Sequence, residues 1–466
     1  MRVLLLALIA ILNTVALTAQ QDISGQWNGL LKAPGAQLRV IFNVTKTDDG
    51  YTSTMDSPDQ GAKGIPVTNT TFENSTVTFE ASNLKMEYTG ELKDNEIVGT
   101  FKQAGHEFPL NLSREVIEKE TIKRPQEPTK PYPYYTEDVI FLNTKADIAL
   151  AGTLTLPKKE GVFPVVVLIT GSGPQNRDEE LLGHKPFLVI ADYLTRNGIA
   201  VLRYDDRGVG KSTGDFKAAN SADFATDVES AIAYLKTRNE INQKQIGLMG
   251  HSEGGLIAPL VAARSKDVGF IVLLAGPGIR GDKILLAQME LIAKASGESE
   301  EEIKKSLDTN RKVFKLVHKS KNDEQLKSDI SKILNEAIDE EAEADIPGGM
   351  SKEAFISMQA KQIASPWMQY FLTYDPAPAL QKVKCPVLAL NGEKDLQVPS
   401  KENLAAIAKA LKKGGNKNVS TKEFPGLNHL FQETKTGAPS EYAEIEQTFS
   451  PVVLEEILTW IQAQTK

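Results

Sequence analysis

Gly250-His251-Ser252-Glu253-Gly254 sets a serine midway between two glycines. The run follows an apolar stretch ending at Met249 and opens an apolar helical pattern near Gly255, so the local order is strand, sharp turn, helix. A turn this tight needs small flanking residues. It lifts the Ser252 hydroxyl clear of a sheet and sets it near the positive end of a helix. The chemistry that fits is nucleophilic attack on an acyl carbon, which requires a base to take the hydroxyl proton. The chain offers five histidines. His251 sits inside the turn, where its ring is expected to point away from the Ser252 hydroxyl. His106 falls in an N-terminal β region, His184 precedes the first helix of a later α/β region, and His318 lies in a helical stretch. His429, in the run Phe424 to His429, follows the last predicted strand and is the expected base.

A third group must orient the imidazole. Asn391-Gly392-Glu393-Lys394-Asp395 follows the apolar strand pattern at 387–390, and Asp395 is the expected acid with Glu393 in reserve. Acyl transfer also needs N–H donors aimed at the developing oxyanion. One is the backbone N–H of Glu253, directly after the serine. The other is expected from the loop Thr170-Gly171-Ser172-Gly173-Pro174, with Ser172 first and Gly173 next.

These residues need a scaffold. Val165 to Ile169, Ala200 to Leu202, Ile246 to Met249, Phe270 to Leu274 and Val387 to Leu390 are continuous apolar runs, as in a parallel sheet covered on both faces. Helical patterns such as Phe224 to Leu235 and Leu256 to Ala263 alternate with them, which predicts a doubly wound, mostly parallel α/β sheet. Residues 279–372 carry helical periodicity and no strand, and are expected to form a helical cap over the sheet's C-terminal edge, where such sheets bind ligands. The charge runs at 300–302 and 339–341 within it are solvated faces. Residues 22–113 read instead as short antiparallel strands. Alternating Leu38, Val40, Phe42 and Val44 run into the turn Asp48-Asp49-Gly50, which predicts a small all-β barrel or sandwich with Trp27 in its core. Pro125, Pro128, Pro131 and Pro133 mark a stiff linker at 114–136, before a catalytic domain at 137–466.

Asp205 to Ser212 contains Gly210-Lys211-Ser212, the tail of a phosphate-binding loop. The full motif needs a glycine five positions before Gly210, and that position is Asp205. Two aspartates would also repel a phosphate. The loop is therefore expected to be scaffold, with Arg207 paired to Asp205 or Asp206 beside it, and no nucleotide is expected to bind.

Taken together, Gly250–Gly255, Thr170–Pro174, Asp205–Ser212, Asn391–Asp395 and Pro425–His429 resemble the α/β-hydrolase superfamily. The chain order Ser252, Asp395, His429 is that family's order. More narrowly the motifs resemble bacterial hydrolases grouped with serine aminopeptidases and prolyl iminopeptidases. The likeness covers about residues 135–464 and leaves the β region outside. Prolyl iminopeptidases carry a G-G-x-P oxyanion loop, whereas Gly171-Ser172-Gly173-Pro174 stands here, and aminopeptidases need inward-facing acids in the cap. The resemblance thus implies a serine esterase before a serine aminopeptidase, with a catalytically inert binding protein as a third reading, and no cofactor or metal.

Composition agrees with a globular, multidomain chain: 466 residues, 41% hydrophobic and 24% charged. A net charge of −8 without a basic face argues against nucleic-acid partners. The single cysteine, Cys385, excludes an intramolecular disulfide. Arg2, the apolar run Val3 to Leu12 and the small residues Ala16 and Ala19 read as a secretory signal peptide over 1–19. Export to the periplasm or medium is expected, with no membrane span in the mature protein.

Overall fold

The computed structural model describes residues 22–33, 36–103, 106–118, 123–338, 346 and 350–466. The expected signal peptide and the charge run at 339–341 lie outside them. The chain divides into two compact units, one reaching to about residue 120 and one comprising nearly all that follows.

The first unit is a single nine-stranded antiparallel sheet. Its strands are β1 (Gly25–Ala33), β2 (Ala36–Thr47), β3 (Gly50–Ser57), β4 (Ala62–Pro66), β5 (Asn69–Glu73), β6 (Thr76–Ala81), β7 (Met86–Lys93), β8 (Glu96–Gln103) and β9 (His106–Ser113), in the order β4-β3-β2-β1-β9-β8-β7-β6-β5. The sheet curls until its two ends meet, where Val67 N–H donates to the Ser53 carbonyl and the Ser53 and Thr70 hydroxyls lie 2.7 Å apart. It is therefore barrel-like, and among the described residues no second sheet makes a sandwich with it. Its interior is aromatic: Phe42 and Phe79 stack at 4.2 Å between centroids, with Tyr88 against both. Trp27 is buried, donates its indole N–H to the Ile23 carbonyl, and carries the Arg114 guanidinium 3.7 Å over its ring.

The second unit holds an eight-stranded sheet: β10 (Tyr135–Asn143), β11 (Ile148–Leu156), β12 (Phe163–Ile169), β13 (Ala200–Tyr204), β14 (Ile241–His251), β15 (Phe270–Leu274), β16 (Val387–Gly392) and β17 (Val419–Phe424), ordered β10-β11-β13-β12-β14-β15-β16-β17. From β13 to β17 every pairing is parallel; β10 and β11 join antiparallel at one edge. Sequence reading missed those two. β10 alternates between buried and exposed residues, with Ile140 and Leu142 facing out, and β11 breaks its apolar residues with Gly152, Thr153 and Thr155, so neither has the continuous apolar signature of the central strands.

Alternate residues of β12 feed two cores. Val165, Val167 and Ile169 face α2 (Ser221–Leu235), α3 (Glu253–Ala262) and a helix at Ser400–Lys413; Val166 and Leu168 face α1 (Pro186–Arg196) and the C-terminal helix Pro451–Gln464. Between β15 and β16 runs the expected helical insertion, with α4 (Gly281–Ser296), α5 (Glu300–Lys319), α6 (Asp323–Ala337), α7 (Lys352–Ile363) and α8 (Pro366–Thr373). It owns a small core built on Val313, Phe314, Val317, Leu326, Ile330 and Leu372. Glu302 does double duty as an exposed acid and as the partner of Ser299 in a capping box that starts α5. From Arg124 on, the proline-bearing stretch is held against the second unit: Gln126 bonds the backbone of Thr448 and Phe449, and Arg124 donates to the carbonyls of Leu182 and Ala443.

Candidate active site

The turn between β14 and α3 is strained where the chemistry would sit. Ser252 has φ 50° and ψ −116°, a conformation costly for a residue with a side chain. The glycines two positions to either side have no room for a side chain. A Cβ on Gly250 would meet the Gly254 carbonyl oxygen at 1.9 Å, and one on Gly254 would meet that of Ile169 at 2.1 Å. Ser252 N–H is spent on the Leu274 carbonyl, at 2.8 Å, which ties the elbow to the adjacent strand.

Ser252 lines a cavity of about 80 Å³ together with Ser172, Gln175, Glu179, His251, His429 and Leu430. The loops after β16 and β17 meet beside it. His429 Nδ1 lies 2.8 Å from Asp395 Oδ2, and both side chains are almost wholly buried. The other oxygen, Asp395 Oδ1, accepts from the backbone N–H groups of Gln397 and Val398, each at 2.8 Å. That fixes the carboxylate's rotation and leaves Oδ2 for the ring. Glu393, the reserve acid, points elsewhere; its exposed carboxylate accepts from Gly426 N–H at 3.0 Å. The His429 loop is held from within by Asn428 Oδ1, which accepts from Leu430 and Gln432 N–H.

Glu253 N–H opens α3, in the first turn, where backbone donors have no partner within the helix. Ser172 stands in the cavity wall and Gly173 follows it at φ 97°. Gly171 N–H is already engaged, donating to Glu179 Oε1 at 2.7 Å. The Glu253 side chain turns into the protein. Its Oε1 accepts from the Ser221 hydroxyl at 2.5 Å and from the indole N–H of Trp367, on cap helix α8, at 2.8 Å. Burial pushes its carboxyl above the usual range, against the two hydrogen bonds, which pull the other way.

The loop at 205–212 is scaffold, by contacts other than the expected ones. Asp206 spans the candidate oxyanion loop, accepting from the Thr170 hydroxyl at 2.7 Å and from Gln175 N–H at 2.9 Å. Asp205 is gripped by Arg177, whose Nε and Nη2 lie 3.0 and 2.8 Å from its two oxygens. Arg207 pairs with neither. It reaches back to α2 and clasps Asp227 at 2.8 and 2.9 Å, with Phe224 under its guanidinium. Its neighbours are already claimed by the loop they brace, so the pairing assigned from adjacency is wrong. Gly210 is required because a Cβ there would meet Asp205 Oδ2 at 2.5 Å. Lys211 is exposed, 3.9 Å from Asp138.

The His251 ring forms part of the cavity wall, 4.9 Å from the His429 ring between centroids. Its Nδ1 lies 3.0 Å from Glu179 Oε1 and its Nε2 3.0 Å from the His429 carbonyl oxygen. Nothing in the sequence pointed to Glu179, which lies in a loop without periodicity. His184 is buried against Thr448 and the Tyr442 carbonyl; His318 pairs with Asp282 on the cap; His106 is in β9. Among the described residues no His, Cys, Asp and Glu cluster is arranged to hold a metal, and no helix is long and apolar enough to cross a membrane.

Strand order, elbow and converging loops define an α/β scaffold, and two family models and a curated relative match the chain. A family model described as serine aminopeptidase, S33, matches residues 186–336, and one described as prolyl oligopeptidase family matches 351–450. Esterase EstD of Thermotoga maritima is 27% identical over 316 residues, 67% of this chain; the chain spans 65% of EstD, just under two thirds of it. Among solved structures, the α/β hydrolase GrgF of Penicillium sp. is 18% identical with a TM-score of 0.45, covering 71% of this chain and 99% of its own. Est1E of Butyrivibrio proteoclasticus, solved with ferulic acid, is 20% identical with a TM-score of 0.41, covering 70% and 99%. The chain belongs to the α/β-hydrolase superfamily.

Proposed function

We propose that this protein is an exported serine esterase. Ser252 Oγ attacks the ester carbonyl carbon while His429 takes its proton, and Asp395 holds the imidazole and stabilises the imidazolium. The oxyanion is received by Glu253 N–H and by the Ser172–Gly173 backbone. The alcohol leaves with the proton from His429, and water then repeats the sequence on the acyl-enzyme to release the acid. The fixed Asp395–His429 pair beside the strained Ser252 supports this reading.

The choice of esters over peptide amino termini rests on one observation. Glu179, the carboxylate in the cavity wall, already accepts from Gly171 N–H and faces His251. Its Oε1 is taken by these two contacts, which leaves Oε2 alone for a substrate ammonium. The likeness to EstD points the same way, and the small cavity favours short acyl groups. The match to a serine aminopeptidase family model favours the second reading, release of an N-terminal residue. Turnover of nitrophenyl acetate and butyrate against amino-acid nitroanilides decides. Faster hydrolysis of the anilides would overturn the esterase assignment. Export rests on the N-terminal sequence pattern, and fractionation of cells making the full chain tests it: processed protein outside the cytoplasm is the expected result.

A further inference from the structure

We propose that Glu179 and His251 form a second carboxylate–imidazole pair that positions both sides of the site, the oxyanion loop through Gly171 and the His429 loop through its backbone carbonyl. The inference rests on the reading of Ser252 and His429 given above, and deepens it.

The chemistry follows from which atoms can donate. The His429 carbonyl oxygen only accepts, so His251 Nε2, 3.0 Å away, carries a hydrogen. Glu179 Oε1 accepts from Gly171 N–H at 2.7 Å and also faces His251 Nδ1 at 3.0 Å. A neutral imidazole with hydrogen on Nε2 presents a bare lone pair at Nδ1, directly opposite a carboxylate oxygen. That contact is repulsive unless one more proton lies between them. The pair therefore holds a proton beyond the neutral imidazole and the free carboxylate. It is formally an imidazolium–carboxylate pair with no net charge.

Several features make such a pair suited to positioning. Both residues are buried, with 6% and 5% exposure, so the interaction is little screened. The charged or titratable groups facing His251 are Glu179 from the loop after β12, Asp395 from the loop after β16 and His429 from the loop after β17. Burial alone would lower the His251 pKa. The Glu179 carboxylate, the His429 carbonyl and Asp395 outweigh it and hold it above the ordinary value. Glu179 itself is kept at φ 50°, a left-handed conformation unusual for glutamate, by its N–H bond to the Asn176 carbonyl. The network thus runs from Gly171, next to the candidate donor Ser172, through two side chains to the backbone of His429.

Glutamine cannot reproduce it. With its carbonyl oxygen toward Gly171 and a neutral His251, either the His429 carbonyl or the amide loses its donor. Two measurements on Glu179→Gln test the pair, with His251→Gln as second variant. Displacing reacting groups by about an ångström can cost about 10²-fold, and kcat/KM for a nitrophenyl ester should fall by that order in both variants, while near-ultraviolet circular dichroism stays native. Independently of catalysis, histidine-labelled Ser252→Ala protein should show His251, assigned by its loss in Ser252→Ala/His251→Gln, protonated at both nitrogens well above an ordinary imidazole midpoint of about 6.5. Adding Glu179→Gln should lower that midpoint, because burial is then opposed by the His429 carbonyl and Asp395 without the Glu179 carboxylate. An ordinary His251 midpoint that ignores Glu179→Gln, or variants within threefold of wild-type kcat/KM, would overturn the proposal. A wild-type protein without ester turnover would sink the esterase reading instead, and the imidazole spectra would still decide whether the pair holds its proton.

Discussion

Asp395 Oδ2 faces His429 Nδ1 at 2.8 Å while the partner oxygen of the same carboxylate is locked by two backbone N–H groups. The contact therefore fixes tautomer as well as position. Asp395→Asn presents an amide that can hold the ring with hydrogen on the wrong nitrogen, and turnover should fall by up to ~10⁴-fold. Glu393→Gln, at an exposed carboxylate that accepts from Gly426 N–H, should change it less than threefold. Steady-state kinetics on one ester, with both variants at equal purity, checks the pair, and reversed effects would make Glu393 the acid.

Ser252→Ala should abolish covalent labelling by a fluorophosphonate and leave only the residual turnover that binding and the oxyanion donors supply. The variant removes one oxygen from a site whose backbone strain is set by its glycine neighbours, so its thermal midpoint should stay near wild type. Labelling that survives the substitution would point to another nucleophile.

Arg207 and Lys211 separate scaffold from phosphate binding. Arg207→Ala strands Asp227 in a buried site, and removing one partner of a buried pair costs about 3–5 kcal/mol. Denaturant unfolding should register that loss. Lys211→Ala, at an exposed position, should alter neither stability nor ester turnover measurably. Calorimetry should find no ATP binding to wild type; affinity that vanished with Lys211 would reverse the assignment of this loop.

Glu253 carries a pH signature. Its folded carboxyl titrates above the ordinary range because of burial, opposed by the Ser221 and Trp367 hydrogen bonds. Between the unfolded value of about 4.3 and the raised folded value, the folded state binds more protons, so its stability falls as pH rises. Glu253→Gln keeps both hydrogen bonds, since Ser221 and Trp367 donate to the same oxygen, and removes the titration. Its unfolding free energy should fall less steeply from pH 4 upward than that of wild type. Parallel curves for the two proteins would show that this carboxyl stays ionised in the fold.

The elbow and the positions of the candidate residues after strand ends were legible in the sequence because each is local. Glycines at 250 and 254 are demanded by contacts within one turn and with the next strand, Ser252 and Asp395 each follow an apolar run that ends a parallel strand, and His429 follows edge strand β17. Burial on both faces writes such strands plainly into the chain, whereas edge strand β10, half exposed, and β11, whose apolar run is broken by Gly152, Thr153 and Thr155, were not seen. What only the tertiary structure decided were the pairings of charged and polar side chains. Arg207 chose Asp227 across the start of α2 over the aspartate adjoining it, Asp206 went to the Thr170–Gln175 loop, and His251 found Glu179 from 72 residues away. A buried charge takes whichever partner the packed backbone brings within hydrogen-bonding distance, and that proximity has no period or spacing for a sequence to display.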